Sequence, residues 1–138
     1  MQKRADKIRL YKAMKERLTR ESRSDLLRFT LSTMPTFRPA DFHRRYYQVL
    51  TDFAHGNIRK LMVFMPPQHG KSEGSTRRLP AFILGDNPEK KVAIVSYNAP
   101  KARKFNREIQ RIIDSEEYHD IFPETSLTAS NVTTVAGS

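Results

Sequence analysis

The sequence predicts an α/β fold built on a parallel sheet, and three observations lead there. Two compact apolar runs, IRKLMVFM at 58–65 and KVAIVS at 91–96, read as buried strands. Each is followed by a segment with helical periodicity. The resulting order of helix, strand, loop, helix, turn, strand, helix is the rhythm of parallel strands joined by right-handed crossovers. A chain of 138 residues is long enough for one modest core and too short for two full domains.

Taken in order, residues 1–20 carry Ile8, Tyr11, Met14 and Leu18 at spacings of three and four among Lys and Arg, which predicts a helix with one narrow apolar stripe. A second helix is expected from Ser24 as N-cap, with Asp25 in its first turn, Leu26, Leu27, Phe29 and Leu31 behind it, and Pro35 as the stop. Residues 1–34 are therefore read as a basic helical arm, and residues 35–138 as the unit that carries the sheet. Through residue 30 the arm holds ten basic and four acidic side chains, a net +6. Such an arm suits nucleic acid, and it equally suits a solvated helix face.

MPTFRPADFHRR reads as an extended connector, with Asp41 placed to cap a helix running to about Ala54. His55-Gly56-Asn57 breaks the chain before the first apolar run. Ser72 to Leu84 reads as helix despite Gly74, and Gly85-Asp86-Asn87-Pro88 as a turn. Beyond the second run, Ala102, Phe105, Ile109, Ile112 and Ile113 share one helical face while Lys101, Lys104 and Arg111 share another, the pattern of a helix packed on a sheet. The tail SLTASNVTTVAGS, 126–138, reads as a strand or a loose end.

Lys and Arg number 25 against 15 acidic residues, a formal net charge of +10, with a pI near 10.2. That balance favours a polyanionic partner, DNA, RNA or an anionic membrane, over which a plain soluble basic protein stands as the alternative. The absence of cysteine excludes disulfides, thiolate metal sites and thiol catalysis, and fits a cytoplasmic protein. The longest apolar stretches, Leu61 to Met65 and Ala81 to Leu84, fall far short of the roughly 20 residues of a membrane span. The first 20 residues have no continuous apolar core and are not a signal peptide.

The stretch LMVFMPPQHGKSEGS, 61–75, holds the chemistry. A loop between a buried strand and a helix is where backbone N–H groups converge with the positive end of the helix dipole, and phosphate oxygens satisfy both. In Gln68-His69-Gly70-Lys71-Ser72, Gly70 allows close backbone approach, Lys71 supplies a point charge for the outer phosphates, and the Ser72 hydroxyl suits a Mg²⁺ shell. The usual G-x-x-x-x-G-K-[ST] pattern has its first glycine where Met65 stands, and Pro66 and Pro67 shape the strand exit instead. An ordinary turn with a serine at a helix start is the bland alternative.

Residues 26–125, with PPQHGKSE and SYN plus the helix after it as the most specific parts, resemble the N-terminal part of the ATPase domain of the phage terminase large subunit, the motor that packages viral DNA into a procapsid. The resemblance implies a RecA-like P-loop NTPase sheet of the ASCE type, ATP with Mg²⁺, and action on double-stranded DNA. It also implies a portal protein, a small terminase subunit and self-association into a ring as partners, no membrane, and the host cytoplasm as the setting. Carried over by position, it makes Gly70, Lys71 and Ser72 the phosphate and Mg²⁺ residues, with Gln68 and His69 in the same loop, and puts Phe42 and His43 at an aromatic-Gln adenine motif. Many relatives have Arg where Gln68 stands, so the residue that would trigger hydrolysis is unassigned.

Hydrolysis also needs an acidic residue at a second strand end and a carboxylate that orients water. Asp114, Glu116 and Glu117 follow the helical face of Phe105 and Ile109, which makes them a helix end, so no catalytic residue is assigned. The Walker B strand and the nuclease carboxylates of the family are not found. The expectation is a truncated or remnant ATP-binding segment with little or no turnover. The alternatives are a basic DNA-binding or assembly module that takes no nucleotide, or half of another P-loop ATPase or helicase. His43, His55, His69 and His119 lack the close pairing of a helical metal site. Arg77, Arg78, Lys101, Arg103, Lys104 and Arg107 suit a DNA path, an arginine offered to a neighbouring subunit, or, for most of them, a solvated helix face.

Overall fold

The computed structural model describes residues 1–127; residues 128–138, most of the stretch read as strand or loose end, lie outside the described part. Among the described residues six α-helices form in order: α1 (Gln2–Ser22), α2 (Leu26–Thr33), α3 (Asp41–Ala54), α4 (Leu79–Asp86), α5 (Ala99–Ile113) and α6 (Glu116–Ile121), with a π-helical segment Glu73–Arg78 running directly into α4.

The expected sheet is not formed. Among the described residues there is no strand, so the parallel RecA-like architecture is corrected to a helical one. The two apolar runs are extended chain without ladder partners, and their side chains show why they looked like strands. Leu61, Val63 and Met65 turn inward and are partly buried against the helices. Between them Met62 and Phe64 are 79% and 83% exposed. The second run does so only in its latter half, where Ile94 and Ser96 are partly buried and Val95 is open to solvent, while residues 91–93 are all exposed. Alternation of this kind is the period of two of an extended chain. A helix satisfies its own N–H and C=O groups, whereas a strand needs a neighbour to do so.

The core lies where helices meet helices. Leu26 and Phe29 of α2, Tyr47 and Leu50 of α3, Phe82 of α4, and Tyr118 and Ile121 of α6 are essentially inaccessible. Phe29 is the hub, with its ring centroid 5.7 Å from Phe82, 5.9 Å from Tyr118 and 6.0 Å from Phe122 in edge and tilted contacts. The face of α5 made by Phe105, Ile109, Ile112 and Ile113 is buried as its periodicity predicts, but it packs on the π-helical segment, α4 and α6 and not on a sheet.

Caps explain the boundaries. Asp25, one residue after the expected Ser24, is the N-cap of α2, and its side chain accepts the Arg28 N–H at 3.0 Å. At α3 the chain is capped from within: the Ala40 N–H donates to His43 Nδ1 at 2.9 Å, and Asp41 is the first helical residue rather than the cap. Residues Gly85 and Asp86, expected in a turn, close α4. Helix α6 has Ser115 as N-cap, accepting the Tyr118 N–H at 3.3 Å. No helix among the described residues is long and apolar enough to cross a membrane.

Candidate functional site

The loop Gln68–Ser72 lies between the end of the first extended run and the start of a helix. Pro66 closes the extended stretch, residues 67–70 turn, and helical chain begins at Lys71. Two left-handed residues make that turn, Gly70 at φ 77° and Gln68 at φ 64°. Glycine adopts this conformation without strain, and a residue with a Cβ does so at a cost. Space is limiting as well, because a Cβ on Gly70 would sit 3.2 Å from His43 Nε2.

The first helical hydrogen bond runs from the Gly74 N–H to the Gly70 carbonyl at 3.3 Å. The amides of Lys71, Ser72 and Glu73 are consequently those left without an intrahelical acceptor, at the positive end of the helix. These residues, with Met65, Pro66, Pro67, Gln68, Gly70 and Arg77, line a cleft of about 370 Å³. The Lys71 ammonium is exposed and makes no ion pair among the described residues. Unsatisfied amides, one free cation and the Ser72 hydroxyl in one open cleft are the donor set that a phosphate chain requires.

The loop is held from behind by α3. The buried Tyr46 hydroxyl donates to the Lys71 carbonyl at 2.8 Å, as does the Ser75 hydroxyl. Burial pushes the Tyr46 phenol upward, so it stays a protonated donor. His43 Nε2 lies 3.0 Å from the His69 carbonyl. Because Nδ1 accepts from Ala40, Nε2 carries the proton and donates to His69. Both ring nitrogens are thus engaged with backbone. His69 Nδ1 in turn donates to the Pro67 carbonyl at 2.8 Å.

Phe42, partly exposed, has its ring centroid 4.0 Å from that of His43 and 5.7 Å from that of His69. The fold therefore brings Phe42 against His69, and His43 against His69 and Gly70, while neither Phe42 nor His43 is among the residues that line the cleft.

A carboxylate in this cleft would repel phosphate, and Glu73 is neutralised twice. Its Oε1 accepts from Arg78 Nε at 2.7 Å and its Oε2 from Arg77 Nη1 at 3.2 Å. Partners at four and five residues' distance are both in reach because the helix is wound wider there, as a π-helix. Arg77 also donates to Glu108 of α5 at 2.7 Å and lies over the Phe105 ring, 5.2 Å from its centroid. Arg78, almost fully buried, reaches Thr33 Oγ1 at 2.8 Å.

Gly74 sits at the centre of this arrangement, and a Cβ there would come within 2.9 Å of the Tyr46 ring. The Glu73 clamp, the Tyr46 anchor and the Arg77 stack were not read from the sequence. The only signal for them was two acid–base pairs, at four and five residues.

Asp114, Glu116 and Glu117 are exposed at the junction of α5 and α6 and do not line the cleft. Among the described residues no group of three or more His, Asp or Glu side chains gathers as a metal site, so a divalent ion here would depend on Ser72 and on a bound phosphate. No family model, no curated protein and no solved structure matches this chain.

Proposed function

We propose that this chain is a nucleotide-binding segment in which the loop Gln68–Ser72 holds the phosphates of ATP, and that it belongs to a phage DNA-packaging motor of the terminase large-subunit kind. One observation carries the phosphate part: left-handed Gly70 opens a helix at Lys71, so three amides without an intrahelical acceptor, an ammonium with no ion pair among the described residues and a hydroxyl share one cleft. The packaging-motor part rests on the resemblance of residues 26–125 alone. In that setting the Ser72 hydroxyl would contribute one ligand to a Mg²⁺ ion carried by the nucleotide phosphates, and the ion would neutralise their charge. Phe42 offers a ring for the base, and double-stranded DNA, a portal, a small subunit and further copies in a ring are the partners, in the host cytoplasm.

Turnover by the chain as it stands is low in this reading. Among the described residues Glu73 is the only carboxylate that lines the cleft, and both its oxygens accept from arginines, which leaves it poorly placed to orient an attacking water.

Thermal unfolding with and without Mg-ATP tests the reading. A ligand present at a hundred times its Kd stabilises the folded state by about 2.7 kcal/mol. Wild type should show this shift, and Lys71→Ala should lose most of it while unfolding normally without ligand. No shift in wild type, beside firm binding to duplex DNA, would replace the reading with the basic assembly module. Robust hydrolysis abolished by Lys71→Ala would contradict the low-turnover part.

A further inference from the structure

Helix α1 projects from the molecule. Residues 2–17 are exposed all round, and nothing among the described residues covers Ile8, Leu10, Tyr11 or Met14, which are 50–70% accessible. Only its C-terminal end is fixed. There the Ser22 hydroxyl donates to the Leu18 carbonyl at 2.6 Å and meets the Ser32 hydroxyl of α2 at 2.9 Å, and Arg23 donates to the Ile121 carbonyl of α6 at 3.0 Å. Sixteen exposed residues at 1.5 Å each make a free rod about 24 Å long.

The rod is a cation. Residues 1–20 hold eight Lys and Arg against Asp6 and Glu16, and Lys3, Arg4, Lys7, Arg9, Lys12 and Lys15 make no ion pair among the described residues. Six unpaired like charges on one exposed helix repel one another, and a polyanion relieves that repulsion.

The placement of charge around the helix separates the classes of polyanion. At 3.6 residues per turn, Lys7 and Lys15 fall on either side of Tyr11, while Arg9 and Lys12 lie on the other half of the circumference. Ile8 and Leu10 point in nearly opposite directions. A helix lying on a lipid surface needs one broad apolar face with its cations opposite, and α1 has no such face. A helix seated in the major groove of duplex DNA is walled by phosphates on both flanks, and the groove, about 12 Å wide, admits a helix about 10–12 Å across. The deep, narrow major groove of duplex RNA does not.

We infer that α1 is the DNA-contacting element of this chain, a helix that lies in the major groove and grips the phosphates on both walls through Lys3, Arg4, Lys7, Arg9, Lys12 and Lys15. Duplex DNA as a partner rests on the proposed function, which assigns it no surface; α1 is that surface, and its evidence is independent of the loop. Lys and Arg outnumber Gln2, Asp6 and Glu16 on its polar surface and are spread around the helix, so phosphate contacts dominate and binding is largely insensitive to sequence and steeply dependent on salt.

The test is fluorescence anisotropy of the full chain with a labelled DNA duplex of about 20 base pairs, the matching RNA duplex, and vesicles of phosphatidylserine and phosphatidylcholine. Expected for wild type is DNA binding that is the same for unrelated sequences and stronger than binding to RNA or vesicles. Changing Lys3, Lys7, Lys12 and Lys15 together to Gln should weaken DNA binding at least tenfold near 0.1 M salt. It should also flatten the slope of log K against log salt by about 3 to 4, since each phosphate no longer neutralised removes about 0.9 from it. The same four positions changed to Arg should keep both affinity and slope, and circular dichroism should show α1 helical in each variant.

Unchanged DNA affinity in the Gln variant, preference for RNA, or binding to vesicles in place of DNA would each overturn the inference. The Mg-ATP thermal shift is run on the same variants. Loss of the DNA result with the nucleotide shift intact sinks this inference alone, and the converse sinks the loop reading alone.

Discussion

The helical core and the extended runs at 58–65 and 91–96 are both rich in large apolar side chains, yet the core removes its own fully from water and the runs remove theirs only in part. Phe29 on α2 is fully buried, whereas Phe64 is 83% exposed. Phe29 sits on an element whose backbone is already satisfied, so the helix needs only another helix against its apolar side, and α4 and α6 provide it. Phe64 sits on an extended chain that packs one side against the helices and, among the described residues, has no cover on the other. An apolar run tells that a segment wants a cover on both faces; it does not tell that the cover exists.

The largest expected effect lies in the core. Phe29→Ala removes the ring that touches Phe82, Tyr118 and Phe122, and should cost about 3–5 kcal/mol by chemical denaturation. A loss under 1 kcal/mol would mean that these helices do not pack as described. Next comes the joint between core and loop. Gly74→Ala pushes a methyl toward the Tyr46 ring, 2.9 Å away, and should cost about 1–3 kcal/mol even though alanine is the better helix former. A gain in stability would show that the loop helix can lift off α3.

The smallest effect belongs to the extended run: Phe64→Ser should change stability by no more than about 0.5 kcal/mol. If Phe64→Ser cost as much as Phe29→Ala, the run would be covered in solution, and the contrast between the two regions would disappear.

These regions also differ in how far the sequence announced them. Helices α1, α3 and α5 were legible because a helix writes its own period: Ile109, Ile112 and Ile113 are buried on the face that their spacing defines. Caps were displaced by a residue: Asp25 and not Ser24 accepts the Arg28 amide, and the helix at 41 is preceded by an Ala40 amide bound to the His43 ring. Helix α6 was missed since six residues carry less than two turns of pattern, and its Glu116 and Glu117 drew attention as carboxylates instead.

The strands were misread because extended conformation and strand pairing share one local signature, and pairing is a property of a neighbour. Of the candidate site, a turn at Gly70 followed by a helix was legible from Gly70 and its surroundings, although the helix begins at Lys71, one residue before the expected Ser72. The Tyr46 anchor and the double neutralisation of Glu73 did not, since both depend on contacts across the fold, or on a wide helical turn that no residue pattern marks.

Amide NMR spectra recorded while Mg-ATP is added test the central claim most directly. Saturable shifts largest at the amides of Gly70, Lys71, Ser72 and Glu73, reproduced by inorganic tripolyphosphate and absent in Lys71→Ala, are the predicted result. Amides of this loop that stay in place at millimolar nucleotide, or shifts that gather elsewhere on the molecule, would contradict it.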